Sequence, residues 1–236
     1  MQLQKRIPIY LLGLFIMAFG VVLIAKANLG VSPLSSIPFA VSGITGLSFG
    51  GMTTAFHILC VLLQAILLKK ITVKILLQLP LATVFGLIVN LFTGLLQFGA
   101  MSLWLRIPLN FAGTFCSALG IVLIVNMDLM LPPPDAFLRE CSVQFHQPLS
   151  RVKIIGDITF VAVTVILELV FRGRITAVGI GTVISMYFTG VFVGFLKKRM
   201  TFLEMPPTNA YWEARKKVET VPAEEGRKGE GQEPPQ

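Results

Sequence analysis

A stretch of 28 residues that occurs twice is the feature that most constrains this chain. Residues 6–33 align without a gap with residues 106–133, and 12 of the 28 positions are identical. A composition this apolar would give roughly three identities by chance. Internal repeats determine architecture. The sequence therefore predicts a duplicated protein whose repeating unit contains a long apolar segment.

Six apolar runs of about 20 residues predict that this unit belongs to a membrane protein. Hydrophobic residues make up 54% of the chain and charged residues 14%, and the mean hydropathy is +0.78. Such runs match the hydrocarbon thickness, and lipid leaves the backbone no hydrogen-bond partner outside its own helix. The predicted spans lie near 8–26, 52–68, 76–98, 107–125, 154–171 and 178–196.

The predicted fold is an all-α membrane protein with six transmembrane helices, arranged as two inverted three-helix repeats. The first repeat occupies residues 1–100 and the second 101–200, and residues 201–236 form a largely disordered cytoplasmic tail. Within that tail, 220–236 should be disordered and Tyr211 to Val218 should form a short surface helix. An odd number of spans in each repeat makes the second copy upside down relative to the first.

Basic residues cluster at alternate ends of the predicted spans. Residues 1–200 contain 15 basic and 5 acidic residues. If all six runs cross, one side holds the clusters Lys5-Arg6, Lys69-Lys70 with Lys74, Arg151 with Lys153, and Lys197-Lys198-Arg199. The positive-inside rule assigns that side, and both termini, to the cytoplasm. The formal charge of +8 therefore does not indicate a nucleic-acid partner.

Cysteines and histidines are too few to predict a disulfide framework or a metal site. The cysteines are Cys60, Cys116 and Cys141, and the histidines are His57 and His146. Neither set has the spacing of a structural site. We expect no cofactor and no metal.

A proline-containing break follows the first span of each repeat. It contains Ser32 and Pro33 in one half, and Pro134 and Asp135 in the other. Because proline suits the first turn of a helix, we predict short helices from near Pro33 to about Ile44 and from near Pro134 to about His146. Interrupted segments at equivalent positions indicate a transporter's binding site. The alternative is a pair of ordinary turns on the membrane surface.

The exposed amides at these helix starts, with Ser35 and Ser36, would favour an anion or the polar end of a ligand. The second and fifth spans each add a polar stripe, which should point inward because polar groups are costly in lipid. The stripes are Thr53, His57, Cys60 and Gln64 in the second span and, at a shift of 104, Asp157, Val161, Thr164 and Glu168 in the fifth. Asn90 of the third span can join them.

The polar stripes also allow a purely structural interpretation. Asp157 can lie beside Lys153 and Glu168 beside Arg172 near the membrane boundaries, with the basic side chains snorkelling. We predict this role for Glu168 and a functional role for Asp157, and His57 is open between the two. The candidate substrate-binding residues are Ser32, Pro33, Ser35, Ser36, His57, Gln64, Asn90, Pro134, Asp135 and Asp157.

Small residues on the first span of each repeat predict close helix packing. These are Gly13 and Gly20 in the first copy, and Gly113, Ser117 and Gly120 in the second.

Several short patterns resemble the YitT/YczE-like family of small bacterial membrane proteins. The stretch from Leu29 to Pro38 is similar to that family's LGxSPxSSxP pattern, and Val152 to Asp157 to its VKxIxD pattern. Gln64 and the stretch from Gln78 to Gly86 also match, whereas His57, Asn90 and Ile180 depart from the pattern. The resemblance spans about residues 8–197. It implies a multi-pass protein of the bacterial plasma membrane and supplies no substrate.

The predicted function is that of a small secondary transporter for an unidentified small solute with an anionic or polar end. The alternative is a non-transporting scaffold or regulator that acts through the cytoplasmic loop 126–151 and the tail. We do not expect an enzyme, because apart from His57 and Asp157 the spans offer few groups for acid–base chemistry. The expected partners are the lipid bilayer, a small solute and, along a glycine-lined face, a second copy of the chain.

Overall fold

Eight helices make up the fold, and between them the described residues contain no strand. The computed structural model describes residues 2–99 and 101–200, with side chains described from Arg6 onward in the first helix. The helices are α1 (Gln2–Ala27), α2 (Pro33–Thr45), α3 (Phe49–Leu68), α4 (Val73–Leu95), α5 (Leu103–Met127), α6 (Pro133–Gln144), α7 (Leu149–Arg172) and α8 (Ile180–Arg199). The predictions for the tail lie outside the described residues.

Six of the described helices are long and apolar enough to cross a membrane, which indicates a multi-pass membrane protein. They are α1, α3, α4, α5, α7 and α8. The other two, α2 and α6, are short and start at prolines after the first long helix of each repeat. The predicted all-α fold with six long helices is confirmed. The second short helix starts one residue earlier and ends two residues earlier than predicted.

Local sequence signals determine where the short helices begin and end. Pro33 and Pro133 occupy the first turns of α2 and α6. At these positions a backbone N–H has no partner within the helix, so proline's lack of one costs no hydrogen bond. Gly46 ends α2 in the left-handed conformation, with a φ of 73°. The Ser48 hydroxyl then accepts a hydrogen bond of 3.2 Å from the N–H of Gly51 and caps α3.

Backbone geometry recurs at the shift of 100 residues seen in the sequence. Helices α2 and α3 start at positions 33 and 49, and α6 and α7 start at 133 and 149. The Ser42 hydroxyl donates to the carbonyl of Leu47, the Ser142 hydroxyl donates to that of Gln147, and both bonds measure 2.7 Å. The structural repeat therefore extends beyond the 28 aligned residues, through the short helix of each half.

The first helices of the two halves, α1 and α5, pack closely and run antiparallel. A side chain at Gly13 would meet the backbone of Gly120, and one at Gly113 would meet the backbone of Gly20. Ascending positions in α1 thus pair with descending positions in α5. The predicted close packing through small residues is confirmed, since these glycines let the two backbones approach.

Each short helix packs across onto the other half of the molecule. Helix α2 contacts α7 as well as its own neighbour α3, and α6 contacts α3 as well as α7. The rings of Phe56 on α3 and Phe160 on α7 meet edge to face at 5.6 Å. The two short helices therefore each pack against both α3 and α7. The halves differ at their last helices, since α4 packs on α3 and α1, whereas α8 packs mainly on α5.

Candidate functional site

The predicted polar stripe of α3 is buried. Thr53, His57, Cys60 and Gln64 are each less than 7% exposed. The Thr53 hydroxyl donates to the carbonyl of Phe49 one turn earlier. The His57 ring stacks on that of Phe85 from α4, with centroids 5.3 Å apart. The stripe faces protein rather than lipid, as the cost of polar groups in hydrocarbon requires.

Three buried polar atoms on α3 and α7 make no hydrogen bond within the described residues. They are Nδ1 of His57, Oε1 of Gln64 and Oδ1 of Asp157. A buried polar atom without a partner costs about 1–3 kcal/mol. Such atoms in a native protein call for an explanation such as a bound ligand or water, so these three are candidates for solute contact.

A charged cluster joins the start of α6 to α7. The Lys153 ammonium lies 3.5 Å from Oδ1 of Asp135. Asp157, one turn further along α7, interacts electrostatically with both groups. Cys60 of α3 lies within electrostatic range of Asp135. The structure thus brings two predicted site residues, Asp135 and Asp157, to the same place.

Lys153 was not predicted as a site residue, because in the sequence it counts only toward the basic bias. The sequence feature that indicates Lys153 is its spacing of four residues from Asp157, because this spacing places both side chains on one helix face.

The start of α2 is held against α7 by hydroxyl groups. The Thr164 hydroxyl donates to that of Ser36 at 2.8 Å, and the Ser36 hydroxyl donates to the carbonyl of Pro33 at 2.7 Å. The hydroxyl of Ser32 donates to that of Ser35 at 3.2 Å. These serines therefore already bond with one another or with α7, and Thr164 supplies a contact from the other half of the chain.

Two further predicted residues lie in structural positions. Asn90 accepts a 2.8 Å bond from the N–H of Gly50 and donates to Ser48, so it ties α4 to the start of α3. Pro134 is buried in the first turn of α6. The structure does not bring Asn90 into the cluster around Asp157.

The two short helices expose fewer backbone amides than the anion-binding interpretation assumes. The N–H of Ser35 bonds to the carbonyl of Ser32, and the N–H of Ala136 bonds to that of Pro132, both at 2.9 Å. The prolines in these first turns have no N–H to offer. Asp135 also places a negative charge in the first turn of α6. Any attraction for an anion at α6 must therefore come from side chains.

Glu168 pairs with Arg172, as predicted, and has further partners. Its carboxylate is fully buried and accepts hydrogen bonds from the hydroxyl and N–H of Thr176 and the N–H of Ala177. The expected partner, Arg172, lies 3.8 Å away. The carbonyl of Ala177 in turn accepts the N–H of Val31 at 2.9 Å. Glu168 therefore holds the α7–α8 connection against the break that follows α1.

Gly30 allows that docking. Its φ of 101° is in the left-handed region, and a side chain there would collide with the backbone of Gly179. The carbonyl of Leu29 accepts the N–H of Gly181 at 2.7 Å. The segment that follows α1 is thus fixed by hydrogen bonds to the start of α8.

Comparison with known proteins gives a family without an assigned activity. Residues 4–198 match the model of a family described as a family of unknown function, DUF6198. The chain belongs to this family. No curated protein and no solved structure matches it. The resemblance to the YitT/YczE-like proteins stays a prediction, and the family supplies no substrate.

Proposed function

We propose that this member of the family is a small secondary transporter of a bacterial plasma membrane, with its two repeats inverted across the bilayer and both termini in the cytoplasm. The antiparallel packing of α1 and α5 supports the inversion, because equivalent helices of inverted repeats run in opposite directions. The charge bias of the connections supports the orientation.

The observation that carries the proposal is the position of the three unpaired polar atoms. His57, Gln64 and Asp157 lie on α3 and α7, the helices onto which the short helices of the opposite halves pack. Transporters of this architecture bind solute near the membrane centre, beside interrupted helices at the interface of the repeats. A rocking motion of one repeat against the other would expose these atoms to each side in turn.

The proposal of a scaffold or regulator has less support. Twelve of the 26 residues of loop 126–151 form α6, and half of that helix's residues are buried. The exposed part of the loop is limited to residues 144–148, 150 and 151. The tail lies outside the described residues and does not favour either function.

An enzymatic role also has little support. Cys141 is a free cysteine on α6, outside the six long helices. Burial raises the pKa of its thiol, and the neighbouring Glu140 carboxylate raises it further. A thiol of raised pKa stays protonated at neutral pH and is a poor nucleophile. We therefore propose that the chain is not an enzyme.

Uptake into proteoliposomes tests the transport proposal. Purified protein would be reconstituted and offered a panel of small anions, zwitterions and cations under an imposed proton gradient. We expect at least one solute to accumulate. Asp157→Asn should lower its uptake at least tenfold, because the substitution removes the buried charge while it keeps the shape of the side chain.

The matched control is Thr159→Val on the same helix. Thr159 is exposed, and its hydroxyl bonds only to the carbonyl of Ile155 one turn earlier. This variant should transport like the wild type. Absence of flux for every solute in correctly folded protein, or equal uptake by wild type and Asp157→Asn, would contradict the proposal.

A further inference from the structure

A cavity of about 190 Å³ lies between the second half of α5, the connection to α6, α6 itself and the start of α7. Seven of its ten lining residues are apolar, among them Leu131 and Leu138. The other three, Asp135, Arg139 and Lys153, are charged. An apolar wall with a few polar groups on one side is the usual composition of a site for a small organic ligand.

The charged side of the cavity is balanced once its neighbour on α7 is included. Asp157 interacts electrostatically with both Lys153 and Asp135. With Arg139 these groups make two cations and two carboxylates. Arg139 has an interaction of its own, as has the adjacent Glu140, which does not line the cavity. A balanced cluster favours a solute without net charge, because an added ion would leave one charge uncompensated.

Lys153 and Asp135 are the two groups that such a solute can engage. The Lys153 ammonium lies 3.5 Å from Oδ1 of Asp135, which is long for a charge-assisted hydrogen bond. The Lys153 side chain is 44% exposed, so its ammonium can turn on a flexible stem. A ligand with a single charge would pair with one of the two groups at the expense of the other. A zwitterion would pair with both.

The distance between these two groups restricts the zwitterion further. In an α-amino acid the ammonium and the carboxylate are attached to one carbon, so they can reach partners that lie close together, as Lys153 and Asp135 do. A zwitterion with its charges at opposite ends of a chain would have to fold back to do the same.

The apolar wall restricts the side chain of the ligand. A dry apolar cavity of about 150 Å³ accommodates a benzene ring. A cavity of 190 Å³ therefore has room for an aliphatic side chain of about three or four carbons beside the two charged groups. Burial of that side chain stabilises the complex by a hydrophobic contribution that free glycine lacks.

We propose that this cavity binds an α-amino acid with an aliphatic side chain, its carboxylate at Lys153 and its ammonium at Asp135. The side chain packs against Leu131 and Leu138. The inference rests on the proposed transport function, since Asp135 and Lys153 belong to the same charged cluster as Asp157. It assigns the solute class of that transporter as zwitterionic amino acids with an apolar side chain.

Binding to the purified full chain in detergent tests this assignment, with L-leucine as the probe. 4-Methylpentanoate is leucine without its ammonium, and 3-methylbutylamine is leucine without its carboxylate. Free glycine lacks the apolar side chain, and 6-aminohexanoate separates the two charges. We expect leucine to raise the Tm in proportion to the logarithm of its concentration above Kd. The other four compounds should bind more weakly by about tenfold or more. Absence of a shift with leucine, or equal affinity for leucine and any of the four, would overturn the proposal.

Two substitutions should each remove one half of the recognition. Lys153→Gln should weaken leucine binding by about tenfold or more and bring it close to that of 3-methylbutylamine, because the carboxylate loses its partner. Asp135→Asn should weaken leucine binding by about the same factor and bring it close to that of 4-methylpentanoate, because the ammonium loses its partner. The control is Lys70→Gln, an exposed lysine between α3 and α4, which should bind leucine as the wild type does.

These changes in selectivity distinguish recognition from a structural role. An ion pair that only holds α6 to α7 would, when broken, weaken the binding of leucine and of both analogues by the same factor. Such a uniform loss in both variants would overturn the proposal.

If neither charged variant folds, Leu131→Trp provides the test. Leu131 lies in the connection before α6, where a larger side chain would occupy the cavity without breaking a helix. It should weaken leucine binding, and unchanged binding would overturn the assignment of the cavity.

Failure of this inference can be distinguished from failure of the transport proposal. Uptake of some other solute without any binding of leucine would refute the amino-acid site and leave transport intact. Binding of leucine with the expected responses of the variants, but without uptake in proteoliposomes, would support the site and refute transport.

Discussion

Two carboxylates on α7 have opposite environments, although both are buried in an apolar helix. Glu168 accepts hydrogen bonds from backbone amides and a hydroxyl, whereas Oδ1 of Asp157 has no partner among the described residues. A buried carboxylate that is fully hydrogen-bonded stabilises a local structure, and one with an unbonded oxygen can accept a hydrogen bond from a ligand. From this contrast we assign a structural role to Glu168 and propose a functional one for Asp157.

Glu168→Gln should destabilise the protein by about 2–4 kcal/mol, because an amide presents only one acceptor to the backbone N–H groups of Thr176 and Ala177. Thermal unfolding in detergent would show the loss as a lower Tm. Thr159→Val on the same helix should leave the Tm near that of the wild type. An unchanged Tm for Glu168→Gln would contradict the role assigned to this carboxylate.

Burial of the polar stripes could be predicted from the sequence, but their partners could not. Because polar groups are costly in lipid, His57, Gln64 and Asp157 must lie on the protein-facing sides of their helices. The partners of Glu168 come from a connection eight or nine residues away, whose conformation no periodicity describes. Similarly, Asn90 bonds to the start of α3, a contact that depends on how α4 packs.

At the scale of elements, the crossing of α1 and α5 is the central contact of the described fold. Gly120 on α5 lies against the backbone of Gly13 and Met17 on α1, and a Cβ there would approach these atoms to 2.6 Å. Few side-chain movements can relieve a clash with backbone, so the two helices would have to separate.

Gly120→Val should therefore destabilise the protein by about 3 kcal/mol or more, at the upper end for an overpacked interior. Gly194→Val on α8 is the matched control, since nothing lies within 4 Å of the position of its Cβ. Size-exclusion chromatography and thermal unfolding would compare the two variants. Equal stability would show that α1 and α5 do not meet through their glycines.

The limits of the short helices could be predicted because proline and glycine act locally. Pro33 and Pro133 favour the starts of α2 and α6, and Gly46 favours the end of α2, through their own backbone conformations. The faces that these helices bury depend on packing between the halves. In α6, small side chains such as Ala136 and Ser142 are buried against its neighbours, whereas the Phe145 that follows is 61% exposed.

At the scale of the whole molecule, the duplication includes more residues than the 28 that align in the sequence. The same turn geometry at Ser42 and Ser142, and the same helix starts, extend the repeat to the starts of α3 and α7. The sequence could not predict that each short helix packs onto the opposite half, because that contact joins residues 128 positions apart, such as Ser36 and Thr164. Each short helix is therefore held by residues of both repeats.

The proposed inversion of the repeats has a direct consequence for the connections at positions 70 and 174, which correspond to each other in the two predicted copies. Both Lys70 and Arg174 are exposed, in the α3–α4 and α7–α8 connections. Each would be replaced by cysteine in a variant whose Cys60, Cys116 and Cys141 are alanine. A membrane-impermeant maleimide would then be applied to intact cells and to permeabilised cells.

We predict that the cysteine at position 174 reacts in intact cells and that the cysteine at position 70 reacts only after permeabilisation. Labelling of both positions from the same side of the membrane would contradict the inverted arrangement and the binding site proposed between the two halves.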